Sequence, residues 1–110
     1  MEMSLREERG STVIATDGRV DTLTAPKFEA YCVAAIDGGA RRVVLDFSRV
    51  AYISSAGLSS VLAVAKHAGR AGGTFAVSGL SGMVKEIFAI SGFDAIVPVK
   101  SDVEEAIASV

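Results

Sequence analysis

Two consecutive serines, Ser54 and Ser55, are the side chains in this sequence whose type and position most directly suggest chemistry. They stand in the stretch YISSAGL, between an apolar run and the start of a helical pattern. Ser54 is placed to cap that helix, which leaves Ser55 at the first helical position without an obvious structural duty. A helix N-terminus carries unpaired N–H donors and a partial positive charge, so a phosphate on Ser55 would be tolerated. The spacing alone leaves open that both serines merely cap the helix.

Neither serine has the partners of a catalytic nucleophile. A hydrolase elbow has the form G-x-S-x-G, and around Ser55 only the trailing Gly57 is present, because Ile53 stands where the leading glycine belongs. His67 is the only histidine, and it lies 12 residues after Ser55 on the same predicted helix. At 1.5 Å per residue the separation is about 18 Å, whereas a general base must come within about 3 Å. The sequence therefore predicts no catalytic residue and argues against a small serine enzyme.

Metal and cofactor sites also lack support. Cys32 is the sole cysteine, which excludes two-cysteine zinc motifs, and its position on an apolar helix face indicates a small core residue. The sequence contains neither the phosphate-binding loop G-x-x-x-x-G-K-[ST] nor G-x-G-x-x-G, so nucleotide binding has no motif behind it. We expect no metal and no cofactor.

Two aspartates are weaker candidates for a binding surface. Asp21 follows the second predicted strand, and Asp46 is predicted to end the central strand. Since parallel strands end at the same edge of a sheet, both are predicted to lie near one rim, where a partner protein could contact them.

Composition narrows the class of partner. The net charge is -2, so no basic surplus is available to bind nucleic acid. No apolar run approaches the ~18 residues of a membrane span, and the N-terminal MEMSLREERG is charged, unlike a signal segment. We expect a cytoplasmic protein that neither binds nucleic acid nor inserts into a membrane.

The apolar pattern predicts the element order β-β-α-β-α-β-α-β-α. Strands are predicted at 2–8 and 11–20, joined by a turn at Arg9-Gly10, and in RRVVLDFS, GGTFAVSG and IVPV; helices are predicted in TAPKFEAYCVAAIDGG, from Ser55 to Gly69, in SGMVKEIFAISG and in SDVEEAIASV. RRVVLDFS suits a central strand covered by helices, and the proline of IVPV places that strand at an edge. The prediction is one α/β domain over residues 1–110, with a mixed, mostly parallel sheet packed with about four helices.

Polar residues at the predicted helix starts are expected to act as caps. Thr24, Ser54 and Ser81 each precede a helical pattern. Ser101 and Glu104 have the spacing of a capping box for the last helix.

Three stretches together resemble a known family. VVLDFSRVAYISSAGLSSVL, with GRVDTLTAPKFEA before it and GGTFAVSGLSGMVKEIFAISGFDAIVPV after it, is similar to the STAS domain of bacterial anti-sigma factor antagonists. The resemblance runs in the family's order from about Gly18 to the C-terminus. It implies a STAS-type fold and a role in a partner-switching system.

The resemblance also implies how such a switch works. The unphosphorylated antagonist binds a protein that is both an anti-sigma factor and a serine kinase, which then releases its client. The kinase phosphorylates the serine two places before the junction glycine, the complex separates, and a metal-dependent serine phosphatase resets the system. That serine is Ser55, with Ser54 a less favoured acceptor, and the chain is then a kinase substrate and not an enzyme.

The sequence departs from the family pattern at two positions. Many members carry Asp before the acceptor and Ser or Thr after it, where this chain has Ser54 and Ala56. The resemblance implies that the partner contacts the junction and both aspartates, a set consisting of Asp21, Asp46, Ser54, Ser55, Ala56, Gly57 and Leu58.

A second hypothesis uses the same fold differently. A STAS subunit of a membrane lipid ABC transporter would be a structural partner of a transport complex. No basic or amphipathic membrane-facing segment appears in the sequence, which favours the anti-sigma factor antagonist.

Overall fold

The computed structural model describes all 110 residues, and its strands and helices follow the predicted order. The elements are β1 (Glu2–Glu8), β2 (Ser11–Val20), α1 (Ala25–Asp37), β3 (Arg42–Ile53), α2 (Ser55–Arg70), β4 (Thr74–Ser78), α3 (Gly82–Ile90), β5 (Val99–Lys100) and α4 (Val103–Ser109). A short 3-10 helix at Phe93–Ala95 follows α3.

All five strands form one sheet in the order β1-β2-β3-β4-β5. β1 pairs antiparallel with β2, and every other neighbouring pair is parallel. The hairpin turn lies at Arg9 and Gly10, whose φ angles of 51° and 78° are the positive values that a two-residue hairpin turn favours. The mixed, mostly parallel sheet with β3 at its centre confirms the predicted fold class.

The helices cover the two faces of the sheet unequally. α1, α2 and α3 contribute to the main core of 20 buried residues on one face. α4 covers part of the other face, where Ala106 and Ile107 pack on Val13, Val44 and Ala76. Neighbouring residues of β3 therefore point into two different cores, which explains why its first half is continuously apolar.

Aromatic contacts tie the central strand to the first and third helices. Phe47 of β3 meets Phe28 of α1 edge to face at a centroid distance of 5.8 Å. On its other side it meets Phe88 of α3 at 6.5 Å. These rings fix two helices against the strand that leads into the Ser54-Ser55 junction.

β3 is longer than the sequence predicted. RRVVLDFS ends at Ser48, whereas the strand continues to Ile53. β4 pairs only with Arg42–Asp46, while β2 stays beside β3 up to Ile53 with two register shifts on the way. The C-terminal halves of β2 and β3 thus extend beyond β4 as a pair, and they carry the junction at their end.

Three of the residues predicted as caps occupy N-cap positions, but only one of them makes the expected side-chain hydrogen bond. Ser54 caps α2 as expected, because its Oγ accepts from the N–H of Gly57 at 3.2 Å. Thr24 and Ser81 occupy the N-cap positions of α1 and α3, but neither side chain makes a cap hydrogen bond.

The capping box predicted for Ser101 and Glu104 is wrong by one residue. Asp102 is the N-cap of α4, and its carboxylate accepts from the N–H of Glu105 at 2.8 Å. Ser101 Oγ instead donates to the Glu105 carboxylate at 3.0 Å. Aspartate caps a helix as well as serine does, so residue type alone did not decide between the two neighbours.

The two edges of the sheet differ from its interior strands. β1 reads EMSLREE, with four charged side chains and a mostly exposed surface. β5 contains only Val99 and Lys100, and Pro98 directly precedes it. The predicted edge position of IVPV is therefore confirmed, although Val97 is buried and lies outside the strand.

Candidate functional site

The Ser54-Ser55 junction is held by backbone and side-chain hydrogen bonds at both of its ends. The N–H of Ser54 donates to the carbonyl of Val20, the last residue of β2, at 3.0 Å. The carbonyl of Ser54 accepts from the N–H of Leu58 at 2.9 Å, and its Oγ accepts from Gly57. Strand end and helix start are thus joined with little freedom between them.

Gly57 allows α2 to begin directly against the end of β2. A Cβ at this position would lie 2.4 Å from the carbonyl oxygen of Val20 and 2.7 Å from Cγ1 of Ile53. Any larger side chain would push the first turn of α2 away from the sheet. The junction glycine therefore positions Ser55, and it contributes no side chain of its own to a contact surface.

The two serines have different environments. Ser55 is exposed at the first residue of α2, whereas Ser54 is half-buried and its hydroxyl is engaged as the cap. Ala56 is half-buried beside them. Leu58, predicted as a partner contact, is only 7% exposed and packs in the main core, so its side chain anchors α2 and does not form a contact surface.

Asp21 shapes the loop that connects β2 to α1. Its Oδ1 accepts from the N–H groups of Leu23 at 3.0 Å and Thr24 at 3.2 Å. In return, Thr24 Oγ1 accepts from the N–H of Asp21 at 2.9 Å and donates to the carbonyl of Arg19 at 2.7 Å. The hydrogen bond from the Thr24 N–H, followed by that from Leu23, lowers the pKa of Asp21, so its carboxylate stays ionised. Asp21 thus has a structural task that the sequence did not indicate.

Asp46 does not lie beside the junction, contrary to the prediction that it ends the central strand. It is an interior residue of β3, seven positions before Ile53, which corresponds to roughly 20 Å of strand. Residues two apart on a strand share a face, so its side chain lies on the same face as Val44. That is the face covered by α4, opposite α2. Its Oδ1 accepts from the N–H of Ser48 at 3.0 Å. A partner contact at Asp46 remains a prediction, but one for a separate surface.

His67 and Cys32 are engaged away from the junction. His67 Nε2 lies 2.7 Å from Asp37 Oδ1, so it links α2 to the last residue of α1. Cys32 is fully buried, and burial raises the pKa of its thiol to about 12, which fits a core residue. No group of three or more His, Cys, Asp and Glu side chains is arranged to hold a metal ion. None of the helices has the length and apolar character needed to cross a membrane.

Two surface features beside the junction were missed from sequence. Leu23, in the loop shaped by Asp21, is 89% exposed. A surface groove of about 630 Å³ runs between α1 and α2. The two helices are in contact, and Ser60 Oγ donates to the carbonyl of Ala25 at 3.3 Å. The signal for the groove was the three- and four-residue spacing of small side chains on α2. Its lining consists of Thr22, Ala25, Pro26, Glu29, Ala30, Val33, Ala56, Ser59 and Ser60.

Comparison with known families and proteins gives a consistent match. The STAS domain family matches residues 2–106. BtrV of Bordetella bronchiseptica, a protein named as an anti-sigma factor antagonist, is 40% identical over 109 residues, which cover 99% of this chain and 94% of BtrV.

Solved structures share the fold over nearly the whole chain. An anti-sigma factor antagonist from Mycobacterium paratuberculosis has a TM-score of 0.90 at 24% identity, covering 99% of this chain and 92% of that chain. The Bacillus cell fate determinant SpoIIAA in its phosphorylated form has a TM-score of 0.70 at 24% identity, covering 98% of both chains. At these identities the likeness concerns the fold alone.

Proposed function

This chain belongs to the STAS domain family, and from that premise we propose that it is the phosphorylatable anti-sigma factor antagonist of a partner-switching system. In its unphosphorylated form it binds an anti-sigma factor that is also a serine kinase, and the bound kinase releases its client. Phosphorylation of Ser55 ends the complex. The identity of 40% to BtrV, whose name refers to anti-sigma factor antagonism, supports the antagonist part of the proposal.

The choice of Ser55 as the phosphoacceptor depends on one observation, the different placement of the two serines. Ser55 is exposed, whereas the Oγ of Ser54 is occupied by the N–H of Gly57. A kinase acting on Ser54 would have to displace a helix cap, and losing such a cap costs about 1 kcal/mol. A kinase acting on Ser55 meets no such cost.

The position of Ser55 also explains how a phosphate could change binding without changing the fold. A phosphate adds about -1.5 to -2 charges, and at a helix N-terminus that charge meets unpaired N–H groups and the positive end of the dipole. Within a fitted protein interface the same group is bulky and repels acidic neighbours. Binding should therefore respond much more strongly than stability.

In this proposal the chain carries no catalytic apparatus of its own. The kinase supplies ATP, Mg²⁺ and the base that accepts the serine proton, and a serine phosphatase removes the phosphate later. Both enzymes would act on the chain in the cytoplasm. The engagement of His67 with Asp37, on the far part of α2, supports a substrate role over an enzymatic one.

Phosphorylation with purified components tests the proposal. Anti-sigma factors with a kinase domain from the same organism are each mixed with the chain, ATP and Mg²⁺, and peptide mass spectrometry locates any added phosphate. We expect one kinase to bind the chain and modify wild type and Ser54→Ala, but not Ser55→Ala. Phosphate found on Ser54, or no complex with any of these kinases, would contradict the proposal.

A further inference from the structure

Leu23 is the most exposed of the large hydrophobic side chains in this molecule, at 89%. Burying a leucine contributes about 1.5–3 kcal/mol, so this side chain adds almost nothing to the stability of the isolated chain. Single exposed hydrophobic residues are common on protein surfaces and mean little by themselves. What distinguishes Leu23 is the loop that carries it and the place to which that loop brings it.

The loop holds Leu23 in the exposed position. The N–H of Leu23 donates to Asp21 Oδ1 at 3.0 Å, so the residue takes part in the hydrogen-bond network of the loop. The N–H of Thr24 donates to the Asp21 carbonyl at 3.2 Å, which closes the turn around Leu23, and Thr24 Oγ1 ties the turn back to Arg19. A side chain presented by a preorganised turn loses little conformational entropy when a partner covers it.

The same loop is joined to the phosphoacceptor junction. Val20 is the residue before Asp21, and its carbonyl accepts from the N–H of Ser54. Leu23 follows Val20 by three residues and Ser55 follows Ser54 directly, so both stand at the same end of the β2-β3 pair. An enzyme that brings a phosphoryl donor to Ser55 Oγ must cover this end of the molecule.

The surface between the two residues leaves room for such a partner. The groove of about 630 Å³ between α1 and α2 is lined by Thr22, which precedes Leu23 in the chain, and by Ala56, which follows Ser55. Most of its lining side chains are small, so a partner surface can approach closely around Leu23. Leu23 and Ser55 are thus each the chain neighbour of a residue that lines this groove.

We propose that Leu23 is an anchor residue that inserts into an apolar pocket of the kinase that phosphorylates Ser55. The inference rests on the proposed function, and it adds a contact outside the reacting atoms. Hot-spot residues of interfaces are typically buried in a pocket of the partner and surrounded by weaker contacts. Because an apolar side chain takes no part in phosphoryl transfer, removal of Leu23 should weaken binding and leave the chemical step intact.

The test compares Leu23→Ser with Ile90→Ser, a matched control at a residue of α3 that is 86% exposed. Neither change should alter the urea midpoint of unfolding, since both side chains are already in water. With the kinase that modifies Ser55 in wild type, we expect Leu23→Ser to raise Kd and KM about tenfold or more, with kcat within about twofold. Ile90→Ser should behave as wild type, and Leu23→Met should restore most of the affinity.

Several outcomes would overturn the anchor while leaving the proposed function in place. The first is a Leu23→Ser variant that binds the kinase, and is phosphorylated by it, as well as wild type. Another is an equal loss in Ile90→Ser. A third is a change in self-association, seen by sedimentation, with unchanged kinase affinity, which would assign Leu23 to a second copy of the chain. A wild-type chain that no such kinase binds or phosphorylates would overturn both proposals.

Discussion

At the scale of single residues, the junction depends on the absence of a Cβ at Gly57. Gly57 lets the first turn of α2 lie against Val20, and the hydroxyl of Ser54 then caps that turn. These two residues set where Ser55 stands. Gly57 acts by its position alone, since it has no side chain to offer a partner.

Replacing this glycine tests the close approach. We expect Gly57→Ala to lower the free energy of unfolding by about 1–3 kcal/mol, because the new Cβ would overlap the Val20 carbonyl and force the helix outward. The measurement is urea unfolding followed by circular dichroism.

Gly69 of the same helix provides the control, since beyond its chain neighbours and the adjacent helix backbone no atom lies within 4 Å of a Cβ at this position. Gly69→Ala should be neutral or stabilise the chain by up to about 1 kcal/mol, because alanine favours the helix. Equal stability of the two variants would show that the contact at Gly57 does not constrain the helix.

At the scale of elements, α4 stands apart from the other helices. It covers the second face of the sheet alone, through a cluster of five buried residues. Polar contacts hold it as well: Arg9 pairs with Glu104 at 2.7 Å, and Arg42 Nε donates to the Val110 carbonyl at 2.9 Å. Because the ion pair is largely exposed, we expect the apolar contact to dominate.

Two substitutions in α4 separate these contributions. Ile107→Ala removes a side chain that is 4% exposed, and it should destabilise the chain by about 2–4 kcal/mol. Glu104→Gln removes the ion pair with Arg9 and should change stability by less than about 1 kcal/mol. Thermal unfolding of both variants is the measurement, and the reverse ranking would mean that charge holds this helix.

The elements also show what local sequence signals could predict. Strand and helix order followed from apolar spacing, and Ser54 was identified as a cap because capping is a local interaction. The capping box at Ser101 was wrong because Asp102 is chemically equivalent. The end of β3 was missed because its continuous apolar run stops before Ser48. The pairing with β2 that carries the strand on to Ile53, with two register shifts, is visible only in the structure.

At the scale of the whole molecule, the site combines local and distant residues. Ser54 and Ser55 are neighbours in sequence, so their arrangement was predictable. Leu23 comes to the same surface only because β2 and β3 run side by side to their ends. Asp46 was placed wrongly for the complementary reason, since β3 continues past it. The sequence thus predicts the proposed acceptor, whereas the surface around it can be described only from the fold.

A negative charge at the proposed acceptor position tests whether binding can change while the stability of the whole molecule does not. We expect Ser55→Asp to keep its free energy of unfolding within about 1 kcal/mol of wild type, because an acid at a helix N-terminus is favourable. Its affinity for the kinase should fall about tenfold or more. Calorimetry gives both quantities.

Ser81→Asp is the matched control, with a negative charge at the exposed N-cap of α3. It should leave the affinity unchanged, and its free energy of unfolding should also stay within about 1 kcal/mol of wild type. A Ser55→Asp variant that binds normally, or that unfolds well before wild type, would count against the proposed mechanism.

The ends of the sheet have a consequence for how this protein behaves when crowded. An open strand edge can recruit a strand from another molecule, the first step toward aggregation. Here one edge strand is β1, which carries four charged side chains, and the other is β5, which has two residues and follows a proline. Neither is a good template for pairing with another strand. We therefore expect strand addition at either edge to be disfavoured even when the protein is concentrated.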